Sequence, residues 1–330
     1  MIRRAILLTI TGVSLYALAP SLINVLKAGP DVIKIEPWWL VSMLLLEAGS
    51  FVCLWRVQQI ALRAPQMSPV ATSQLAGNAF GRVVPGGAAT AGALQYRMLT
   101  DAGVPRATAV SGLTAAGLLL SGMLLALPVL ALPAVLAGEP INPNLARAAW
   151  AGLFATAVMG AGGAVLLTRD GPLEWVGRTV QRIRNAVLRR RPPVCDLPER
   201  LLKERNGIRT VLGDRWKDAL LATSGRYALD YIALVAAVAA VGHVPLLYGV
   251  LLAYCVAQIL SWLPFTPGGL GFVEAGLTGT LVLAGVDAAD AVVATLAYRL
   301  VSYWLPLPAG LAAWFVHRRR YGSGEPALTG

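Results

Sequence analysis

Charge is what this chain has least of. Asp, Glu, Lys and Arg make up 14% of its 330 residues, against about a quarter in a soluble domain. So few charges cannot clothe a folded surface in water. With 56% hydrophobic residues and a mean hydropathy of +0.63, a bilayer is the expected solvent. Histidine is almost absent (His243 and His317), and the three cysteines, Cys53, Cys195 and Cys255, are scattered. That excludes a disulfide framework, a Cys-x-x-Cys motif and a His/Cys zinc site, so no metal is expected. No Gly-x-x-x-x-Gly-Lys-Ser/Thr loop occurs, which argues against a nucleotide-driven engine, and no cofactor is expected. Acidic residues are scarcer than basic ones, 17 against 28, for a net charge of +11. In a membrane chain, positively charged cytoplasmic loops beside anionic lipid account for this without nucleic acid as a partner.

Long apolar runs are what it does have. Spans of about 20 residues are expected at Ala5–Leu26, Leu40–Ile60, Ala107–Leu136, Ala146–Leu167, Ala219–Val241, Pro245–Leu263 and Ala288–Val316. Arg3 and Arg4 place the N-terminus in the cytoplasm, and Arg318, Arg319 and Arg320 ask the same of the C-terminus, so the cytoplasmic (inner) membrane is the expected location. Residues 168–218 are the one sizeable polar segment, with thirteen Lys or Arg against seven acids, and so are cytoplasmic. Within them Val176, Val180, Ile183 and Val187 recur at helical spacing among Arg178, Arg182, Arg184 and Arg189. The pattern predicts an amphipathic helix on an anionic membrane face, or more plainly a solvated basic loop.

Two stretches fit neither span nor loop. Residues 68–100 hold Asn78, Arg82, Pro85-Gly86-Gly87, Gln95 and Arg97; residues 264–285 hold Pro267-Gly268-Gly269 and Glu274. Proline and glycine break helices, and broken backbone at membrane depth is tolerated only inside protein or along a wet cavity. A shift of 182 residues superimposes the two stretches. Pro85, Gly86 and Gly87 fall on Pro267, Gly268 and Gly269, Ala102-Gly103-Val104 falls on Ala284-Gly285-Val286, and residues 85–115 give 12 identities, against roughly three or four from composition. The fold expected is therefore an all-α polytopic membrane protein of seven to eight transmembrane helices plus two re-entrant or broken hairpins. Its first repeat is 1–167, the basic loop 168–218, the second repeat 219–317 and the tail 318–330. Eight crossings, with Gly268–Leu283 passing fully through, keep both termini inside.

Charges at depth mark candidate sites. At 1.5 Å per residue, Asp230 and Arg299 each lie about 16 Å into their segments, and Glu47 is not far from mid-membrane. Arg226 and Asp230 are one helical turn apart and form an expected intramembrane pair; Glu274 with Arg299, and Glu47 with Arg82 or Arg97, are expected tertiary pairs. Arg82, Arg97, Glu274 and Arg299 are the candidate residues for binding a lipid headgroup. Pro85, Gly86, Gly87, Pro267, Gly268 and Gly269 are the candidate hairpin hinges. Asn78, Gln95 and Gln258 read as packing contacts between helices, and Tyr96, Tyr298 and Tyr303 as pocket lining or interfacial anchors.

The run Pro264-Phe-Thr-Pro-Gly-Gly-Leu-Gly-Phe-Val-Glu-Ala275, then Ala-Gly-Val (284–286) and Tyr298-Arg-Leu-Val-Ser-Tyr-Trp-Leu-Pro306, resembles the lysylphosphatidylglycerol synthase transmembrane-region family. The likeness covers most of the chain and is strongest over 263–306. It departs at Gly92, where many members carry a glutamate, so Glu274 is the matching carboxylate. The resemblance implies translocation, or assistance in translocation, of a polar-headgroup lipid, with anionic phospholipid or polyprenyl-phosphate types as partners and no enzyme activity. The synthase's soluble acyl-transfer domain has no room in 168–218. The alternative is a non-transporting membrane partner of a lipid- or envelope-synthesising enzyme, docked through the basic loop.

Overall fold

A computed structural model describes residues 35–84, 87–136, 143–187, 195–213, 215–242, 244, 246–262 and 267–322. The expected first span with Arg3 and Arg4, the hinge residues Pro85 and Gly86, Pro264, and the last residues of the tail lie outside them. All regular structure among the described residues is helical. Helix α1 (Pro37–Leu62) begins on a proline, whose missing N–H is no loss at a helix start. It ends where Ala64 N–H reaches the Gln59 carbonyl and Arg63 N–H reaches Ile60, a Schellman closure. Then come α2 (Met67–Val83), α3 (Gly87–Asp101) and α4 (Arg106–Ala126). A 3₁₀ turn at Leu127–Ala131, containing Pro128, leads into the short α5 (Leu132–Leu136). After α6 (Pro143–Thr168), the basic segment forms α7 (Asp170–Val187) and α8 (Leu197–Gly213). The last third holds α9 (Trp216–Ala240), α10 (Leu247–Ser261), α11 (Phe272–Leu283), α12 (Ala288–Arg299) and α13 (Pro306–Tyr321). Of the described helices, Pro37–Leu62 and the run Arg106–Ala134 are long and apolar enough to cross a membrane.

The 182-residue shift carries over into the helices. It maps α1 onto α9, α2 onto α10, α3 onto α11 and α4 onto α12, and it maps the turn at Gly103 (φ 87) onto that at Gly285 (φ 95). Both glycines are left-handed, the conformation that L side chains avoid. Each repeat contains a helical hairpin, α2 with α3 and α10 with α11. The sequence reads Pro245–Leu263 as a span; within it the structure describes α10, a 15-residue helix that packs against α11. Hydropathy cannot separate a lipid-facing span from an apolar arm buried against its own partner.

How the repeats meet follows from the contact of α1 with α9. Glu47 is beside Asp230, Gly49 against Leu229, Ser50 against Arg226 and Cys53 against Gly225. Numbers rise along one helix as they fall along the other, so these repeat counterparts cross antiparallel. Two equivalent helices that cross antiparallel are exchanged by rotation about an axis perpendicular to both, which is the inverted arrangement. The shift maps Glu47 onto Leu229 and Ala48 onto Asp230, so the crossing point is the Glu47–Asp230 contact. The exchange extends outward. Helix α13 packs on α2, with Gly310 against Leu75 and Ala79, and the 3₁₀ turn around Pro128, the position equivalent to Gly310, packs on α10.

The helix expected around Val176 and Ile183 is present as α7. Trp175, Val180 and Ile183 are exposed on it, while Gly177 closes against Pro198 of α8. Helix α8, not anticipated from the sequence, buries Arg205, which pairs with Asp170 at 2.6 Å.

Candidate functional site

The second hairpin tip, the end of α2 and a break between α12 and α13 converge on Tyr303. The break has a local cause. Residues Leu300–Trp304 form a π turn, in which Leu305 N–H bonds the Leu300 carbonyl five residues back. Pro306 then has no N–H to give the Ser302 carbonyl. Arg82 supplies what is missing: its Nη1 donates to the Ser302 carbonyl at 2.9 Å and to that of Tyr303 at 2.7 Å. Tyr303 returns its hydroxyl to the Arg82 carbonyl at 3.2 Å. Two guanidiniums lie over the Tyr303 ring, Arg82 at 4.9 Å and Arg299 at 4.2 Å from its centroid, within the range of cation–π attraction.

Glu274 is held from two sides. Its Oε1 accepts from Arg299 Nε at 2.8 Å and its Oε2 from the Gly271 N–H at 2.7 Å. The second bond satisfies a free donor at the start of α11, where a carboxylate is favoured. The tip fits tightly. Gly268 is left-handed (φ 61), and a Cβ there would overlap the Tyr303 side chain. Glycine is the residue this approach requires. Arg299 is buried, and its Nη2 has no hydrogen-bond partner among the described residues.

A second cluster surrounds Asp230. Its Oδ2 accepts from Arg226 Nη1, Tyr254 hydroxyl and Gln258 Nε2, each at 2.9 Å, and its Oδ1 accepts from the Tyr298 hydroxyl at 2.7 Å. Ser50 of α1 accepts from Arg226 and donates to its backbone carbonyl. Tyr298 and Arg299 are consecutive, so α12 joins this cluster to the Tyr303 site.

The expected pairs Arg226–Asp230 and Glu274–Arg299 are both formed. Glu47 does not make the pair expected with Arg82 or Arg97; it lies against Asp230. Arg82 joins Arg299 and Glu274, but Arg97 stands apart, its side chain 81% exposed and 3.9 Å from Asp101 on its own helix. Gly87 and Gly269 both take left-handed turns at their hairpin tips. Gln95 bonds Gln58 at 2.7 Å, a helix-to-helix contact. Gln258, read from the sequence as a packing contact between helices, bonds Asp230, while Tyr254 has no signal in the sequence that separates it from ordinary apolar-helix residues. The role of Ser302 does, because Pro306 follows it by four. No group of three or more His, Cys, Asp or Glu gathers among the described residues.

An inverted pair of helical hairpins around buried ion pairs defines a class of membrane-embedded helical proteins built from internal repeats. The chain belongs to the family described as the lysylphosphatidylglycerol synthase TM region, which it matches over residues 5–310. It is also 33% identical over 110 residues to a UPF0104 membrane protein of Methanothermobacter thermautotrophicus, an alignment covering 33% of this chain. The match takes in 31%, about a third, of that curated relative's length.

Proposed function

We propose that the chain moves a phospholipid with a polar headgroup from one leaflet of the membrane to the other, the Tyr303 site receiving the phosphate. The observation that carries this is a surplus of buried positive charge. Arg82 and Arg299 lie over one aromatic ring, the one carboxylate bonded there, Glu274, is taken by Arg299 Nε, and Arg299 Nη2 is left without a partner among the described residues. A buried guanidinium nitrogen with nothing to bond is costly, and a phosphate oxygen is the acceptor it suits best.

The hairpin arms support a path rather than a plug. They have 17, 15, 15 and 12 residues, or about 18–25 Å of helix against a core of about 30 Å. Each hairpin would then enter and leave on one side, and the inverted repeat would open them to opposite sides. Counting the span expected from the sequence at 5–26, which lies outside the described residues, six crossings would then keep both termini on the cytoplasmic side without the need for eight. The exposed Trp175, Val180 and Ile183 on the basic helix α7 favour its lying on an anionic bilayer surface.

The test is movement of fluorescent phosphatidylglycerol between leaflets of reconstituted vesicles, read by dithionite quenching. Arg299→Ala and Arg82→Ala should each lower the protein-dependent rate by on the order of tenfold, as losing one charge-assisted bond implies. Rates equal to those of empty vesicles, or unchanged in both variants, refute the reading. Loss of function on neutralising Arg178, Arg182 and Arg184 alone would favour a docking role instead.

A further inference from the structure

The cluster around Asp230 holds one acid too many for its bases. Asp230 is matched to Arg226 at 2.9 Å and accepts four hydrogen bonds in all. Glu47, from α1, comes within hydrogen-bonding reach of it. Two carboxylates have only acceptors to offer one another, so a bond between them needs a hydrogen. Glu47 is the member placed to carry it. The residue is 4% exposed and its Oε2 has no partner among the described residues, whereas Arg226 and three neutral donors bond Asp230 directly.

The groups facing the pair are few: Ser50 on α1, Arg226 and Tyr227 on α9, Tyr254, Cys255 and Gln258 on α10, Tyr298 on α12, and Arg82 of α2 at longer electrostatic range. Of these, Arg226 is the one guanidinium bonded to the pair. Its position gives the proton leverage. It sits where the inverted repeats cross, the place about which the two halves of such a protein rock. It also reaches the Tyr303 site through one peptide link, because Tyr298 donates to Asp230 and Arg299 pairs with Glu274. When Glu47 releases its proton to water, a second negative charge stands against Asp230, and the two carboxylates repel. The Tyr298 bond is then drawn into any rearrangement, and Arg299 moves with it.

We propose that Glu47 and Asp230 form a proton-binding site that couples lipid movement to proton exchange between the two sides of the membrane. The coupling rests on the translocation reading above; the proton site does not.

Two measurements separate them. The first is infrared spectroscopy of the full-length protein in phosphatidylethanolamine–phosphatidylglycerol vesicles at neutral pH. The expected result is a protonated-carboxyl C=O band, shifted in D2O, that Glu47→Gln abolishes and Glu36→Gln leaves. If Glu47→Gln does not reconstitute, Glu47→Asp should keep the band but displace it. A spectrum identical in wild type and both Glu47 variants overturns the site. The second imposes a pH gradient on vesicles holding fluorescent phosphatidylglycerol. The wild type should enrich the lipid in one leaflet, approaching about tenfold per pH unit for one proton per lipid, and Glu47→Gln should give none. Equal enrichment by both proteins overturns the coupling. The band without lipid movement in any vesicle upholds the proton site and overturns the translocation reading.

Discussion

Replacing Asp230 by Asn tests the hub that joins the repeats. The exchange keeps the shape and one oxygen but removes the charge that Arg226 faces at 2.9 Å, in a pair whose side chains are 18% and 2% exposed. Breaking a buried pair by removing one partner costs roughly 3–5 kcal/mol. The amide nitrogen also displaces the acceptor of Tyr298, worth about 0.6 kcal/mol on the average for membrane proteins. Glu47 stands ready to ionise and take over part of the charge balance, which pulls the expected loss to the lower end, about 3 kcal/mol. The measurement is reversible unfolding in mixed micelles, followed by tryptophan fluorescence. The decisive comparison is with Arg226→Met and the double variant. The double variant removes both charges, leaving neither partner buried as an unpaired ion, so it should recover about 2 kcal/mol relative to simple addition. A loss under about 1 kcal/mol for Asp230→Asn, or strict additivity, would refute the view of Asp230 as a satisfied ionic hub.

Gly268→Ala combines a left-handed φ of 61° with overlap of Tyr303. It should destabilise by about 1–3 kcal/mol and slow lipid movement, whereas Gly92→Ala, with nothing within 4 Å of the added carbon, should do neither; paired denaturation and transport curves check both. Pro306→Ala gives the Ser302 carbonyl an N–H of its own, in competition with Arg82, and should tighten the π turn and weaken lipid movement at unchanged fold, read by circular dichroism beside the vesicle assay. Arg97→Ala, at a side chain exposed to solvent or lipid and 3.9 Å from Asp101, should change stability by no more than about 0.5 kcal/mol and leave the transport rate at the wild-type value.

Several features were written in the sequence because they depend on spacing along one helix or on backbone chemistry. The Arg226–Asp230 pair needs only one turn of helix. The hairpin tips announce themselves through Pro-Gly-Gly, since left-handed turns at Gly87, Gly268 and Gly269 admit little else. The repeat shows as identities at a fixed shift, and the same shift maps α1–α4 onto α9–α12. Helix α7 follows from the alternation of valine and arginine, a pattern that survives whatever the helix packs against.

Other features were decided only when helices met. The apolar run 245–263 reads as a span, and nothing along the chain shows that its helix α10 packs against α11. Glu47 offers no clue along the chain that its neighbour is an acid rather than Arg82, because the contact joins residues far apart in sequence. Identity at a fixed shift is blind to direction, so whether the repeats are parallel or inverted depended on the antiparallel crossing of α1 with α9. Arg82, Arg97, Glu274 and Arg299 are equal as charges in an apolar sequence. Packing brings three of them to the hairpin tip at Tyr303 and leaves Arg97 on an outer face.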